Sequence, residues 1–125
     1  MKKTLFVLTL SLCFFISQAQ EDVYFISTPS LNPDGTEVIF TYDGDLWKIA
    51  AAGGTATRLT AMAGNETYPR VSPDGNWIAF SSTQYGNADV YVMPYNGGDI
   101  KRLTFNSSND QVETWSWDSE TVYFQ

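Results

Sequence analysis

The chain has 125 residues, 43% of them hydrophobic, 15% aromatic and 17% charged, which allows one ordinary domain and excludes a disordered chain or a coiled coil. Its formal charge of −7, with only seven Lys and Arg in total, leaves no basic patch for nucleic acid or for an anionic membrane surface. There is no His, so this chain alone can build neither a Ser-His-Asp nor a Cys-His catalytic arrangement, nor a His-based zinc site.

The first segment reads as a secretory signal peptide. Met1-Lys2-Lys3 is a basic start, Thr4 to Ile16 is an apolar run, and Ser17-Gln18-Ala19 puts small residues before a cut at Gln20. The run is about 13 residues, too short for a membrane span of roughly 20. Cys13, the only cysteine, lacks the small preceding residue that a lipidation site wants, because Leu12 stands there. Removal of residues 1–19 leaves no cysteine, so packing alone must hold the domain. It also leaves five cations against fourteen acids, a charge of −9. The expected destination is secreted or periplasmic.

From residue 29 onward the sequence repeats. Pro29 to Phe40 lies over Pro69 to Phe80 with an offset of 40, matching Pro33-Asp34-Gly35 to Pro73-Asp74-Gly75. Asp45-Leu46-Trp47-Lys48-Ile49 then matches Asp89-Val90-Tyr91-Val92-Met93, and Arg58-Leu59-Thr60 matches Arg102-Leu103-Thr104, now with an offset of 44. The four extra residues fall around Gln84-Tyr85-Gly86-Asn87. A third copy begins near Trp115, with Trp117-Asp118-Ser119 in place of Pro-Asp-Gly.

Each copy reads as a meander of short strands. Pro-Asp-Gly is a turn: Pro presets φ, Asp bonds its own backbone and Gly takes positive φ. Val38 to Thr41 and Trp77 to Ser81 are apolar runs rich in β-branched and aromatic residues. Asp43-Gly44 and Asn96-Gly97-Gly98 are hairpin turns. Leu46 to Ile49, Val90 to Met93 and Ile100 to Thr104 complete the strands. A period near 40 residues with several strands in each copy specifies propeller blades. The expected fold is therefore all-β, an incomplete β-propeller of four-stranded antiparallel blades. Blade repeats are expected at about 29–60, 69–104 and 113–125 within a segment spanning 20–125, as the N-terminal part of a longer protein.

The unit Ser72-Pro73-Asp74-Gly75, then Ala79-Phe80-Ser81, Asp89-Val90-Tyr91-Val92-Met93, Gly97-Gly98 and Arg102-Leu103-Thr104 resembles the WD-like repeat of the TolB family of propellers. A signal peptide running almost directly into Val23-Tyr24-Phe25-Ile26-Ser27-Thr28-Pro29 and the first blade resembles the start of exported bacterial tricorn-like serine peptidases. That resemblance implies a substrate-gating or docking propeller, with a PDZ-like domain and a peptidase core downstream. It implies as partners a peptide or protein substrate and the remaining domains of the parent chain. It supplies no catalytic residue to any position here. The alternative is a non-enzymatic, TolB-like periplasmic propeller that binds proteins.

Individual residues were weighed as sites. Asn32, Asp34, Glu37, Asp43 and Asp45 crowd oxygen ligands near two turns, but their spacing does not fit a calcium loop and turn chemistry accounts for them. Asp34, Asp74 and Asp118 recur at one repeat position, as do Asp45 with Asp89 and Arg58 with Arg102. Recurrence marks architecture, and a structural Asp–backbone or Asp–Arg bond is expected. Ser72, Ser81, Ser82 and Ser116 lack a base. Trp47, Trp77, Trp115 and Trp117 are expected to pack in the core. Tyr85 and Tyr95, on hairpin turns, are expected to be exposed and available to a peptide. Asn65 and Asn106 begin glycosylation sequons. No catalytic, cofactor or metal residue is assigned, and an oligomer is allowed.

Overall fold

The computed structural model describes residues 26–125; the expected signal peptide and its cleavage site lie outside the described residues. Among the described residues ten strands form three antiparallel sheets, and there is no helix. Strands β1 (Ser27–Leu31), β2 (Glu37–Tyr42), β3 (Asp45–Ala50) and β4 (Thr57–Arg58) make the first sheet in that order. Strands β5 (Glu66–Val71), β6 (Trp77–Tyr85), β7 (Asn87–Pro94) and β8 (Lys101–Arg102) make the second, again in chain order. Strands β9 (Val112–Trp115) and β10 (Val122–Phe124) pair as the third. This is an open, incomplete propeller, as the repeat requires: each four-stranded sheet is one blade built from one consecutive copy.

The turns behave as their residues dictate. Gly35 and Gly75 take φ of 73° and 75° in the two Pro-Asp-Gly turns, and Ser119 takes 63° at the same place in the third copy. Asp34 Oδ1 accepts the Thr36 N–H at 2.9 Å, and Asp74 Oδ1 accepts the Asn76 N–H at 3.0 Å. Asp43 and Gly44, at φ 50° and 82°, close the β2–β3 hairpin with both central residues left-handed, the twist-matched turn for two strands.

The first strand of each complete blade carries a bulge that the sequence did not announce. The register shifts between Ser27 and Ser30 and again between Thr67 and Arg70, with Thr28 and Tyr68 at φ 47° and 53°. These strands converge, β1 packing on β5 and β5 on β9. The bulges turn backbone donors toward the neighbouring blade: Tyr68 N–H donates to Thr28 Oγ1 at 3.2 Å, and Val71 N–H to Ser30 Oγ at 3.4 Å.

Two apolar seams hold the sheets face to face. Ile39 and Leu46 of blade 1 meet Ile78, Phe80, Tyr91, Met93 and Tyr95 of blade 2. On the opposite face of blade 2, Ala79 and Val90 meet Val112, with Tyr68, Trp115 and Val122 alongside. The alternation is the ordinary strand period: Ile78 and Phe80 face one neighbour while Ala79 faces the other.

The tryptophans correct the expectation of a Trp-packed core. Trp77 is 41% and Trp117 93% exposed, while Trp47 and Trp115 are half-buried. An indole N–H must find a partner when buried. Trp47 Nε1 donates to the Tyr42 carbonyl and Trp115 Nε1 to the Arg70 carbonyl, at 3.0 and 2.8 Å, so both stay near strand edges where carbonyls are reachable. Trp77 alternates with Ile78 along β6 and so shares the face of Ala79.

Candidate functional site

The recurring Asp45 and Asp89 pair with Arg58 and Arg102 respectively, each within its own blade, between the third and fourth strands. In blade 1, Arg58 Nη2 lies 2.5 Å from Asp45 Oδ2, and Arg58 Nε donates to the Thr60 carbonyl at 2.8 Å. Blade 2 repeats this with Arg102 Nη2 2.6 Å from Asp89 Oδ2 and Arg102 Nε 2.8 Å from the Thr104 carbonyl. Thr60 Oγ1 accepts the Leu46 N–H and Thr104 Oγ1 accepts the Val90 N–H, at 2.8 and 2.9 Å. The expected Asp–Arg bond is present twice, as a brace that ties the third strand of each blade to the fourth.

From each brace the chain passes to the next blade through a buried acid. Glu66 opens β5 with its N–H donating to the Gly44 carbonyl at 2.7 Å, and Asp110 does the same to Ala88 at 2.7 Å. Thr41 Oγ1 donates to the Glu66 carbonyl and Ser81 Oγ to the Asp110 carbonyl, at 3.0 and 2.9 Å. The Glu66 carboxylate accepts from Thr60 Oγ1 at 2.8 Å and from Ser82 Oγ at 3.2 Å. Burial pushes its pKa up and the nearby Asp45 charge adds to this; the two hydroxyls oppose it. Gly64, just before, is held at φ 99°, and a Cβ there would lie 2.8 Å from the Thr83 carbonyl carbon.

The remaining expected residues divide cleanly. Asp34, Asp74 and Asp118 sit in the three equivalent turns, their carboxyls held below the usual range first by the hydroxyls of Thr36, Ser72 and Ser116 respectively. Ser72 and Ser116 thus donate to turn aspartates, Ser81 to a carbonyl and Ser82 to Glu66. None faces an imidazole or amine. Asn32 Oδ1 accepts the Glu37 N–H at 2.9 Å, Asp43 occupies its hairpin, and Asp45 its ion pair. Among the described residues no three His, Cys, Asp or Glu side chains converge in a metal-like group. Asn106 Nδ2 is bonded to Asp110 Oδ2 at 2.8 Å.

Tyr85 is exposed at 64%, as its hairpin position implies, but Tyr95 is a correction: it is buried. Its hairpin folds back onto blade 1, where its hydroxyl donates to Glu37 Oε2 at 2.8 Å and Lys48 Nζ sits 4.6 Å from its ring centroid. Burial and the Glu37 carboxylate hold the Tyr95 phenol well above its ordinary pKa.

Where the connector from blade 1 meets blade 2 lies a cavity of about 370 Å³. Met62 from the inter-blade connector, Gln84 and Tyr85 from the β6–β7 hairpin, Tyr91 on β7, and Ile100, Arg102 and Phe105 around β8 line it. The Arg102 guanidinium carbon lies 4.7 Å from the ring centroids of both Tyr85 and Phe105. No motif marks Tyr91, Met62, Ile100 or Phe105 as lining residues. The available signal was departure from the repeat, since Phe105 stands where blade 1 has Ala61 and Ile100 where it has Ala56.

The family model of the tricorn protease N-terminal β-propeller domain matches residues 20–125. The chain belongs to that family. Among relatives of this tricorn-type propeller, tricorn protease homolog 1 of Streptomyces coelicolor is 39% identical over 92 residues, covering 73% of this chain and 9% of that protein. The tricorn protease homolog of Saccharolobus solfataricus is 32% identical over 107 residues, covering 79% of this chain and 10% of that one. The chain therefore spans about a tenth of these relatives. Among solved structures, TolB from Acinetobacter baumannii superposes with a TM-score of 0.66 at 30% identity, over 78% of this chain and 25% of that one. The tricorn protease superposes with a TM-score of 0.69 at 17% identity, over 84% and 11%. That last likeness is one of fold.

Proposed function

We propose that this chain is the N-terminal propeller segment of an exported, tricorn-like serine peptidase, acting as a substrate-gating or docking module while chemistry is carried by downstream domains. The observation that carries this reading is the family match over residues 20–125, joined to tricorn protease homologues at 39% and 32% identity. The physical fit is direct. A closed propeller offers a central channel where its first strands converge, and exposed strand edges can pair with an extended peptide backbone. The Ser72, Ser81, Ser82 and Ser116 hydroxyls are committed to turns and blade junctions, and this reading assigns catalysis to other parts of the parent protein. Export follows from the signal-peptide pattern ending at Ala19, which gives a secreted or periplasmic location.

Hydrolysis of short and long unstructured peptides by the full-length parent protein, with and without residues 20–125, tests the gating role. Deletion should abolish discrimination by length while short-peptide turnover persists; unchanged discrimination would overturn the reading. N-terminal sequencing of the mature protein should begin at Gln20. A second reading, a non-enzymatic TolB-like protein-binding propeller, is favoured by the 30% identity to the Acinetobacter TolB structure. It predicts a parent reading frame that stops after the propeller and a protein with no peptidase activity.

A further inference from the structure

The recurring Asp–Arg pairs brace each blade from within; around Arg102, which belongs to that repeat, the cavity is built from residues that do not recur. Gln84 and Tyr85 belong to the four-residue insertion of the second copy, and Phe105 and Ile100 replace Ala61 and Ala56. Tyr91 replaces Trp47. Trp47 satisfies its indole N–H on the Tyr42 carbonyl at 3.0 Å. The Tyr91 hydroxyl is buried and has no hydrogen-bond partner among the described residues. A buried hydroxyl without a partner is destabilising, and a phenylalanine would avoid that cost.

The lining also differs in charge from the rest of the molecule. Fourteen acids outnumber five cations after residue 19, yet no acid lines the cavity and Arg102 does. Arg102 is fixed by Asp89 and the Thr104 carbonyl, which holds it between the two rings. Those rings are largely solvent-exposed, 64% for Tyr85 and 71% for Phe105. Exposed side chains change rotamer in picoseconds to nanoseconds, so they can open a path to the hydroxyl beneath.

We propose that this cavity binds one apolar residue of a peptide. Its side chain enters among Met62, Ile100 and the rings of Tyr85 and Phe105. Its adjoining carbonyl or carboxylate oxygen accepts from the Tyr91 hydroxyl and the Gln84 amide. About 370 Å³ is at the small end of ligand sites and suits one side chain with its backbone. None of the lining residues belongs to β1, β5 or β9, so the site lies away from the converging first strands. It rests on the peptide-handling role only for the source of its ligand.

The test is a titration of the full-length parent protein, followed by ligand-observed NMR, with N-acetyl-L-phenylalaninamide and N-acetyl-L-phenylalanine as separate probes and N-acetylglycinamide as the control without a side chain. At least one phenylalanine probe should bind saturably and the control should not. Binding of the amide identifies an internal residue of a peptide; binding of the carboxylate alone identifies a chain terminus. Tyr85→Ala combined with Phe105→Ala should weaken binding by about tenfold or more. Tyr91→Phe, which removes one oxygen, should weaken it about threefold. No saturable binding of either probe, or equal affinity in wild type and all variants, overturns the proposal. Length discrimination in hydrolysis reports separately on gating, so either idea can fail while the other stands.

Discussion

Blade 1 shows one face to blade 2, whereas blade 2 is covered on both faces, by blade 1 through Ile78, Phe80 and Met93 and by the β9–β10 hairpin through Ala79 and Val90. The strands record the difference: five consecutive residues of β6, Ile78 to Ser82, are buried, against three of β2, Ile39 to Thr41. The ion pairs record it too. Asp89 is wholly buried beside an Arg102 side chain that is 22% exposed, while the equivalent Arg58 is 49% exposed. Within residues 26–125, the same repeat gives a sheet with a core on both sides or on one, according to its neighbours in that span. Stability in such an array resides in the interfaces as much as in the blades.

The largest expected effect follows from that asymmetry. A polypeptide of residues 20–125 should melt on the order of 10 °C or more below the same chain extended through the complete propeller. It should also self-associate, since β10 offers an open edge with Tyr123 and Phe124 54% and 46% exposed. Thermal unfolding with size-exclusion chromatography checks this; a monodisperse monomer with the same transition as the full propeller would refute it.

A smaller effect sharpens the comparison at equivalent positions. Asp89→Asn should cost about 2–3 kcal/mol, because it strips a partly buried guanidinium of its counter-charge. Asp45→Asn should cost about 1 kcal/mol or less, because Arg58 is half in water. Urea unfolding of both variants measures the difference, and equal losses would mean that neighbour coverage does not matter to the brace.

The smallest effect is a pH dependence at the blade 1–blade 2 junction. The Glu66 carboxyl is raised above its ordinary 4.5 by burial and by Asp45, so the folded state holds a proton that the unfolded chain releases. The stability this contributes is complete below the ordinary value and is lost as pH rises through the raised one. Glu66→Gln, neutral throughout, should therefore stabilise by about 1 kcal/mol at neutral pH and change little near pH 4. Denaturant unfolding across that range decides it; a constant difference at every pH would remove Glu66 as the titrating group.

Much of this was legible in advance because turn chemistry is local. Pro33-Asp34-Gly35 and Pro73-Asp74-Gly75 fix their own geometry through one Asp oxygen and one left-handed Gly, so the copies align and the blades follow. The Asp–Arg braces were legible as well, because recurrence at Asp45, Asp89, Arg58 and Arg102 points to architecture. Tyr95 was not, because its burial depends on a hairpin of one blade folding onto Glu37 and Lys48 of another. The bulges at Thr28 and Tyr68 were not, because nothing in a single strand says which of its N–H groups will be claimed by the next blade.

The sequence by itself determined the turns, the middle strands of each blade, the meander they form and the family, all of which rest on contacts a few residues apart or on motifs read in register. Only the tertiary structure decided which aromatic side chains are covered, which acid is raised, and where a cavity opens around an unpaired hydroxyl. Those depend on what the opposing sheet presents some forty residues away, and burial of a polar or aromatic group is settled by its partner across the interface rather than by its own neighbours in the chain.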